Sequence, residues 1–228
     1  MNRFLSTLAV LSLALAASAA HADTIDWATF TSTTSGTITG GINVSYSGQA
    51  SAVGYTDGCG CRWVSPNPLV PSYTGGTIGN GPASTYGNSI EMEGGNPGVL
   101  ETITFSTALV DPVMGIWSLG EVNDTAEYDF VNAPFTIEAG GPNLQYGGAS
   151  IYSSGDDVYG QEGNGVIQFE GTYTSISFYT PVFENYYAFT VGNDVDAVAA
   201  TPEPGSLVLL GTGLLGVAAA ARRKMARA

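Results

Sequence analysis

From about Ile25 onward, apolar and polar residues alternate in short runs, with no long segment of helical period. Alternation of this kind marks half-buried strands, in which successive side chains point to opposite faces. Ile42-Val44-Tyr46 alternates with Asn43-Ser45-Ser47, Ile103-Phe105 with Thr102-Thr104, and Phe135-Ile137 with Thr136-Glu138. Further on, Ile167-Phe169 alternates with Gln168-Glu170, Ile176-Phe178 with Ser177-Tyr179, and Tyr187-Phe189-Val191 with Tyr186-Ala188-Thr190. Gly171, Pro181 and Gly192 punctuate these runs. The pattern predicts an all-β chain of about ten to twelve strands, folded over residues 23–192 as a single β-sandwich or jelly-roll-like domain. Trp27 and Trp117 are expected in its core, and residues 193–201 are expected to form a linker.

Both ends break this pattern. Arg3 precedes an apolar stretch from Phe4 to Ala17 and the small-residue triplet Ala20-His21-Ala22. That order predicts a secretory signal peptide over residues 1–22, with Ala20 and Ala22 marking the cleavage site for signal peptidase. At the other end, Pro202-Glu203-Pro204-Gly205 is followed by an apolar run from Leu207 to Ala221 and then by Arg222, Arg223, Lys224 and Arg227. As a helix the run would be about 22 Å long, short against a hydrocarbon core of about 30 Å. The basic cluster stays cytoplasmic by the positive-inside rule, which leaves the bulk of the chain on the far side of the inner membrane.

These three C-terminal elements, in this order, resemble the PEP-CTERM sorting signal of Gram-negative bacteria. The resemblance covers about the last 28 residues, 202–228 being the signal proper. It implies recognition by exosortase, a membrane-embedded cysteine transpeptidase-like enzyme, and removal of the tail near Pro202-Glu203-Pro204. It also implies display at the cell surface or in an exopolysaccharide matrix, with a transient or permanent C-terminal anchor. The runs Pro112 to Gly120, Glu162-Gly163-Asn164-Gly165 and Phe189-Thr190-Val191-Gly192 are similar to the body of other PEP-CTERM proteins, which bears on fold more than on activity.

Charge narrows the chemistry. Residues 23–201 hold nineteen carboxylates, from Asp23 to Asp196, and one basic residue, Arg62, so the exported part is more acidic than the whole-chain charge of −14. It has no Lys, and His21 leaves with the signal peptide. Without a cationic patch the domain does not neutralise nucleic-acid phosphates. Without His or Lys it runs no Ser-His-Asp, Cys-His or Schiff-base mechanism and builds no His-ligated zinc site.

Carboxylates and aromatics remain. Glu91 with Glu93, or Glu162 with Glu170 or Glu184, are candidate pairs for a glycoside hydrolase. Trp63, Tyr73, Tyr86, Tyr146, Tyr152 and Tyr159 lie in loop-like surroundings suited to carbohydrate binding. Acidic clusters occur at Asp124/Glu127/Asp129, Asp156/Asp157 and Asp194/Asp196; the last two are weak candidates for a structural calcium ion, the alternative being solvated turn and edge residues. No other cofactor is expected. Cys59-Gly60-Cys61 is a candidate turn-locking disulfide, with a redox pair, free thiols and intermolecular bridging as alternatives. The leading expectation is a non-enzymatic structural or adhesive protein, with a carbohydrate-binding module and a carboxylate-based glycosidase behind it.

Overall fold

Alternating burial organises one of the two sheets and fails in the other. The structure, a computed structural model, describes residues 22–54, 62–64, 71–142 and 148–195. The signal segment up to His21, Cys59, Cys61, Tyr146, Asp196 and the sorting tail lie outside the described residues. Fifteen strands and no helix form among the described residues. The N-terminal strands are β1 (Ile25–Trp27), β2 (Thr29–Ser32), β3 (Ser35–Ile38), β4 (Ile42–Ser47) and β5 (Ala50–Val53). After a long connection come β6 (Ile90–Gly94), β7 (Glu101–Val110), β8 (Val113–Leu119), β9 (Ala126–Phe130) and β10 (Phe135–Gly140). The last five are β11 (Tyr152–Ser154), β12 (Asp157–Gly160), β13 (Gly163–Phe169), β14 (Thr172–Tyr179) and β15 (Phe183–Asp194).

All pairings between these strands are antiparallel. An eight-stranded sheet runs β11-β12-β9-β14-β7-β4-β3-β2, and a seven-stranded sheet runs β10-β13-β8-β15-β6-β5 with β1 added on β15. The two sheets face each other across one core. The eight-stranded sheet contributes Val44, Tyr46, Ile103, Phe105, Tyr128, Phe130, Val158, Ile176 and Phe178, met from the other side by Ile90, Met92, Met114, Ile116, Ile167, Phe169, Tyr187, Phe189 and Val191. Aromatic rings interlock here edge to face, Phe178 against Phe189 at 6.0 Å and Tyr128 against Tyr187 at 5.6 Å. On the outer face of the eight-stranded sheet, Asn43, Ser45 and Ser47 are exposed, as the alternation requires.

The central strands β8 and β13 of the seven-stranded sheet are buried on both faces. Every residue of β8 is buried, a pattern foreshadowed by the continuous apolar run from Pro112 to Trp117. Its outer side carries Val113, Trp117, Val166 and Ala188, covered by Ile25, Trp63, Tyr73 and Ile78. Trp63 and Tyr73 pack edge to face at 5.1 Å, so these two are core residues and not the exposed sugar platforms expected of loop aromatics. The physical reason is local. An apolar sheet face left in water is costly, and the connection between β5 and β6 supplies the side chains that shield it.

Arg62 fastens this cover. It is fully buried, its Nη2 lies 2.5 Å from Glu91 Oε1, and its Nη1 donates to Ser89 Oγ at 2.7 Å and to the Gly54 carbonyl. Its guanidinium also sits 4.5 Å from the Trp117 ring centroid. Glu91 is therefore committed to a buried ion pair, while Glu93 is exposed, and the two do not form a reactive pair.

The C-terminal boundary moves as well. Asn193 and Asp194, expected in the linker, extend β15 because β1 pairs with them, Ile25 opposite Asp194 and Asp26 opposite Asn193.

Removing the Phe189 side chain, which is fully buried among Phe30, Tyr46 and Phe178, is expected to cost about 3–5 kcal/mol in urea unfolding. Arg62→Ala is expected to cost about 3–5 kcal/mol because it strands the Glu91 charge, whereas the double change Arg62→Met with Glu91→Met costs clearly less. A double variant as unstable as Arg62→Ala would contradict this account.

Candidate functional site

The site grows from a break in the β8 ladder. Leu119 pairs with Gly163 and Ile116 with Gly165, so Trp117 and Ser118 together oppose the single residue Asn164. This is a β-bulge, which re-aims side chains and bends the strand. Ser118 adopts φ 57°, in the left-handed region, and its N–H donates to Asn164 Oδ1 at 3.1 Å. Asn164 Oδ1 also receives the Tyr73 hydroxyl at 2.9 Å, which ties the bulge to the cover of the outer face.

Past the bulge the chain turns at Gly120, whose φ is 78°. A Cβ there would run into the Gly160 carbonyl, so only glycine fits. Glu121 and Asp124 then exchange two backbone hydrogen bonds of 2.9 Å around Val122 and Asn123, Asn123 taking φ 68°, which asparagine tolerates.

This turn, the β12–β13 connection and the start of β15 enclose an open cavity of roughly 350 Å³ lined by Ser118, Glu121, Val122, Glu162, Glu184, Asn185 and Tyr186. Each of its three carboxylates is held by a donor. Ser118 Oγ donates to Glu162, the Gly120 N–H donates to Glu184, and Asn185 Nδ2 donates to Glu121 Oε1 at 2.5 Å. Tyr186 stacks on Trp117, with ring centroids 6.0 Å apart and an interplanar angle of 18°. Trp117 thus lies in contact with both the Arg62 guanidinium and the tyrosine that lines the cavity.

Burial dominates the electrostatics. Glu184, only 4% exposed, is pushed up to about 8, chiefly by desolvation and further by the charges of Glu162 and Glu121, against the pull of the Gly120 N–H. Glu162 is raised for the same leading reason, with the Ser118 hydroxyl opposing. Near neutral pH the cavity therefore holds a protonated Glu184 beside other carboxyl groups.

Of the acidic pairs weighed in the sequence, the structure brings Glu162 and Glu184 into one cavity and leaves Glu170 out of it. Ser118, Glu121 and Tyr186 carried no sequence signal beyond the turn residues around Gly120, because the bulge that gathers them depends on pairing with β13.

The aromatic candidates separate. Tyr86 is exposed. Tyr152 and Tyr159 stack across β11 and β12, 5.5 Å apart, on the outer face of the eight-stranded sheet. There Asp157 lies opposite Asp129, and Tyr159 lies opposite Glu127 and donates its hydroxyl to Asp157 at 2.8 Å. Burial and like-charge neighbours raise Glu127 and Asp129. Asp156 occupies the turn before β12, whereas Asp194 closes β15 in the other sheet, buried and accepting from Gln168 Nε2 at 3.2 Å. The calcium candidates Asp156/Asp157 and Asp194 therefore lie on different sheets. Among the described residues no group of three or more acidic, His or Cys side chains is placed to hold a metal ion.

The raised carboxyls fix the sign of the pH dependence. A carboxyl whose folded pKa lies above its unfolded value binds its proton more tightly when folded, so its contribution is complete below the unfolded pKa and lost as pH rises through the folded one. For Glu184 that window runs from 4.5 to about 8, and Glu101, buried under Tyr46, Thr180 and Gln49, shifts the same way. The melting temperature is expected to fall steadily from about pH 5 to about pH 8.5, and Glu184→Gln to flatten that slope. A melting temperature that climbs over this range would refute the assignment.

Comparison with known proteins bears on the tail alone. A family model for the PEP-CTERM protein-sorting motif matches residues 200–224, which span Pro202-Glu203-Pro204, the apolar run and the basic residues Arg222, Arg223 and Lys224. No curated protein and no solved structure matches the chain. The motif implies export, processing by exosortase and sorting to the cell surface in a Gram-negative bacterium. Residues 200–224 thus carry a PEP-CTERM protein-sorting motif.

Proposed function

We propose that this chain is a structural or adhesive protein of the cell surface or of an exopolysaccharide matrix, delivered there by its sorting motif and without enzymatic activity. The observation that carries the reading is the motif at residues 200–224, which begins only a few residues beyond the end of β15 at Asp194. In this reading signal peptidase removes the N-terminal segment after Ala22. The apolar run from Leu207 to Ala221 holds the chain in the inner membrane until exosortase acts near Pro202-Glu203-Pro204. The excess of carboxylates keeps the displayed domain soluble and apart from its own copies.

A second reading, carbohydrate recognition, draws support from the cavity, where a stacked tyrosine adjoins carboxyl and amide groups. Hydrolysis by Glu162 and Glu184 would show as release of reducing sugar, abolished in Glu162→Gln with the fold intact; the non-enzymatic reading expects none.

The primary test is the intact mass of the protein from the native host's envelope and medium. The wild-type chain is expected to begin near Asp23 and end near Pro202-Glu203-Pro204. The chain with all three of those residues changed to alanine is expected to keep its tail and stay in the inner membrane. A tail retained in both would make the C-terminal run an ordinary anchor and overturn the matrix role.

A further inference from the structure

The cavity beside the β8 bulge contains a charge problem that the protein does not solve for itself. Three glutamates line it. The only basic residue between Asp23 and Thr201 is Arg62, and it is buried in its pair with Glu91 beneath Trp117. The cavity carboxylates are fixed by neutral donors alone, Glu162 by the Ser118 hydroxyl, Glu184 by the Gly120 and Tyr186 N–H groups, and Glu121 by the side-chain and backbone N–H of Asn185. A carboxylate accepts about four hydrogen bonds, so acceptor capacity remains at all three. Carboxylates that are fixed, concentrated and without a counter-cation match a ligand with ammonium donors.

The remaining lining narrows the ligand. Tyr186 is held by its stack on Trp117, and Val122 is 61% exposed, so an aromatic ring and an apolar side chain flank the acids. Those groups suit the C–H faces of a sugar ring, while Asn185 and Ser118 suit its hydroxyls. A cavity of roughly 350 Å³ falls at the lower end of the ~300–1,000 Å³ range of ligand pockets, the size for a short saccharide and not for a folded partner. A bare divalent cation fits less well, because no group of three carboxylates here is placed to hold a metal ion.

We propose that the cavity formed by Ser118, Glu121, Glu162, Glu184 and Tyr186 binds an aminosugar, its ammonium group paired with the carboxylates of the lining and its ring against Tyr186. The inference rests on the carbohydrate reading above and sharpens it to one chemical class. Its binding is linked to protons. At about pH 6 the ligand's amine is already an ammonium and Glu184 holds its proton, so the ligand's charge displaces that proton to the buffer.

Isothermal titration of the exported protein with a glucosamine oligosaccharide, in two buffers of different ionisation enthalpy at about pH 6, tests this. The expected result is binding with release of up to one proton per ligand. Affinity should fall about tenfold or more in Glu162→Gln and in Tyr186→Ala, and the released proton should vanish in Glu184→Gln. Glu93→Gln, on an exposed side chain outside the cavity, should bind like wild type. Near-ultraviolet circular dichroism of each variant separates loss of the site from loss of the fold. Equal binding of the N-acetylated oligosaccharide would overturn the ammonium assignment and leave carbohydrate recognition standing. Equal binding of a simple diamine would overturn the sugar, and no binding of any probe would overturn the site.

Discussion

The ion pair between Arg62 and Glu91 is the constraint on which the rest of the structure turns. A buried pair of this kind adds little net stability when compared with apolar packing, but it is strict about geometry, because either charge alone would be stranded away from water. Here it fixes the long connection between β5 and β6 onto the outer face of the seven-stranded sheet, where Trp63, Tyr73 and Ile78 cover Trp117 and Val166. The same guanidinium lies over Trp117, and Trp117 carries Tyr186. One side chain thereby links the third layer of the fold to the wall of the cavity.

That commitment has an electrostatic consequence. With Arg62, the only basic residue between Asp23 and Thr201, sealed inside, the remaining carboxylates of that stretch have no basic side chain within it to balance them. Burial pushes Glu184 up to about 8, and burial beside Asp157 raises Glu127 and Asp129. Others are spread over turns and the open face of the eight-stranded sheet, where water and salt screen them.

The cavity is a product of irregular backbone, and its parts reinforce one another. The β8 bulge turns Ser118 toward Glu162, the glycine at 120 lets the next turn approach β12, and the Glu121–Asp124 turn brings Glu121 to Asn185 at the start of β15. Regular pleating would have sent these residues to alternate faces. The same irregularity places a polar, carboxylate-lined hollow at the end of a sheet whose central strand, β8, is buried throughout.

How much of this was legible follows from which forces are local. Alternation within a strand is a property of a few neighbouring residues, so the all-β class and the inward face of β4, β7 and β14 could be read from the chain. The sorting motif is read by linear order, and the sequence by itself determined the address of this protein without reference to any fold. The lack of Lys and His between Asp23 and Thr201 is likewise read directly from the chain. Tertiary structure decided the rest, because it depends on partners distant in the chain. Trp63 and Tyr73 resemble loop aromatics until a sheet face needs covering, and Asp194 resembles linker until β1 pairs with it. Glu162 and Glu184 are merely two of nineteen acids until three strands and a bulge bring them to one cavity, where loss of water, and not the identity of the residue, sets what each carboxyl does.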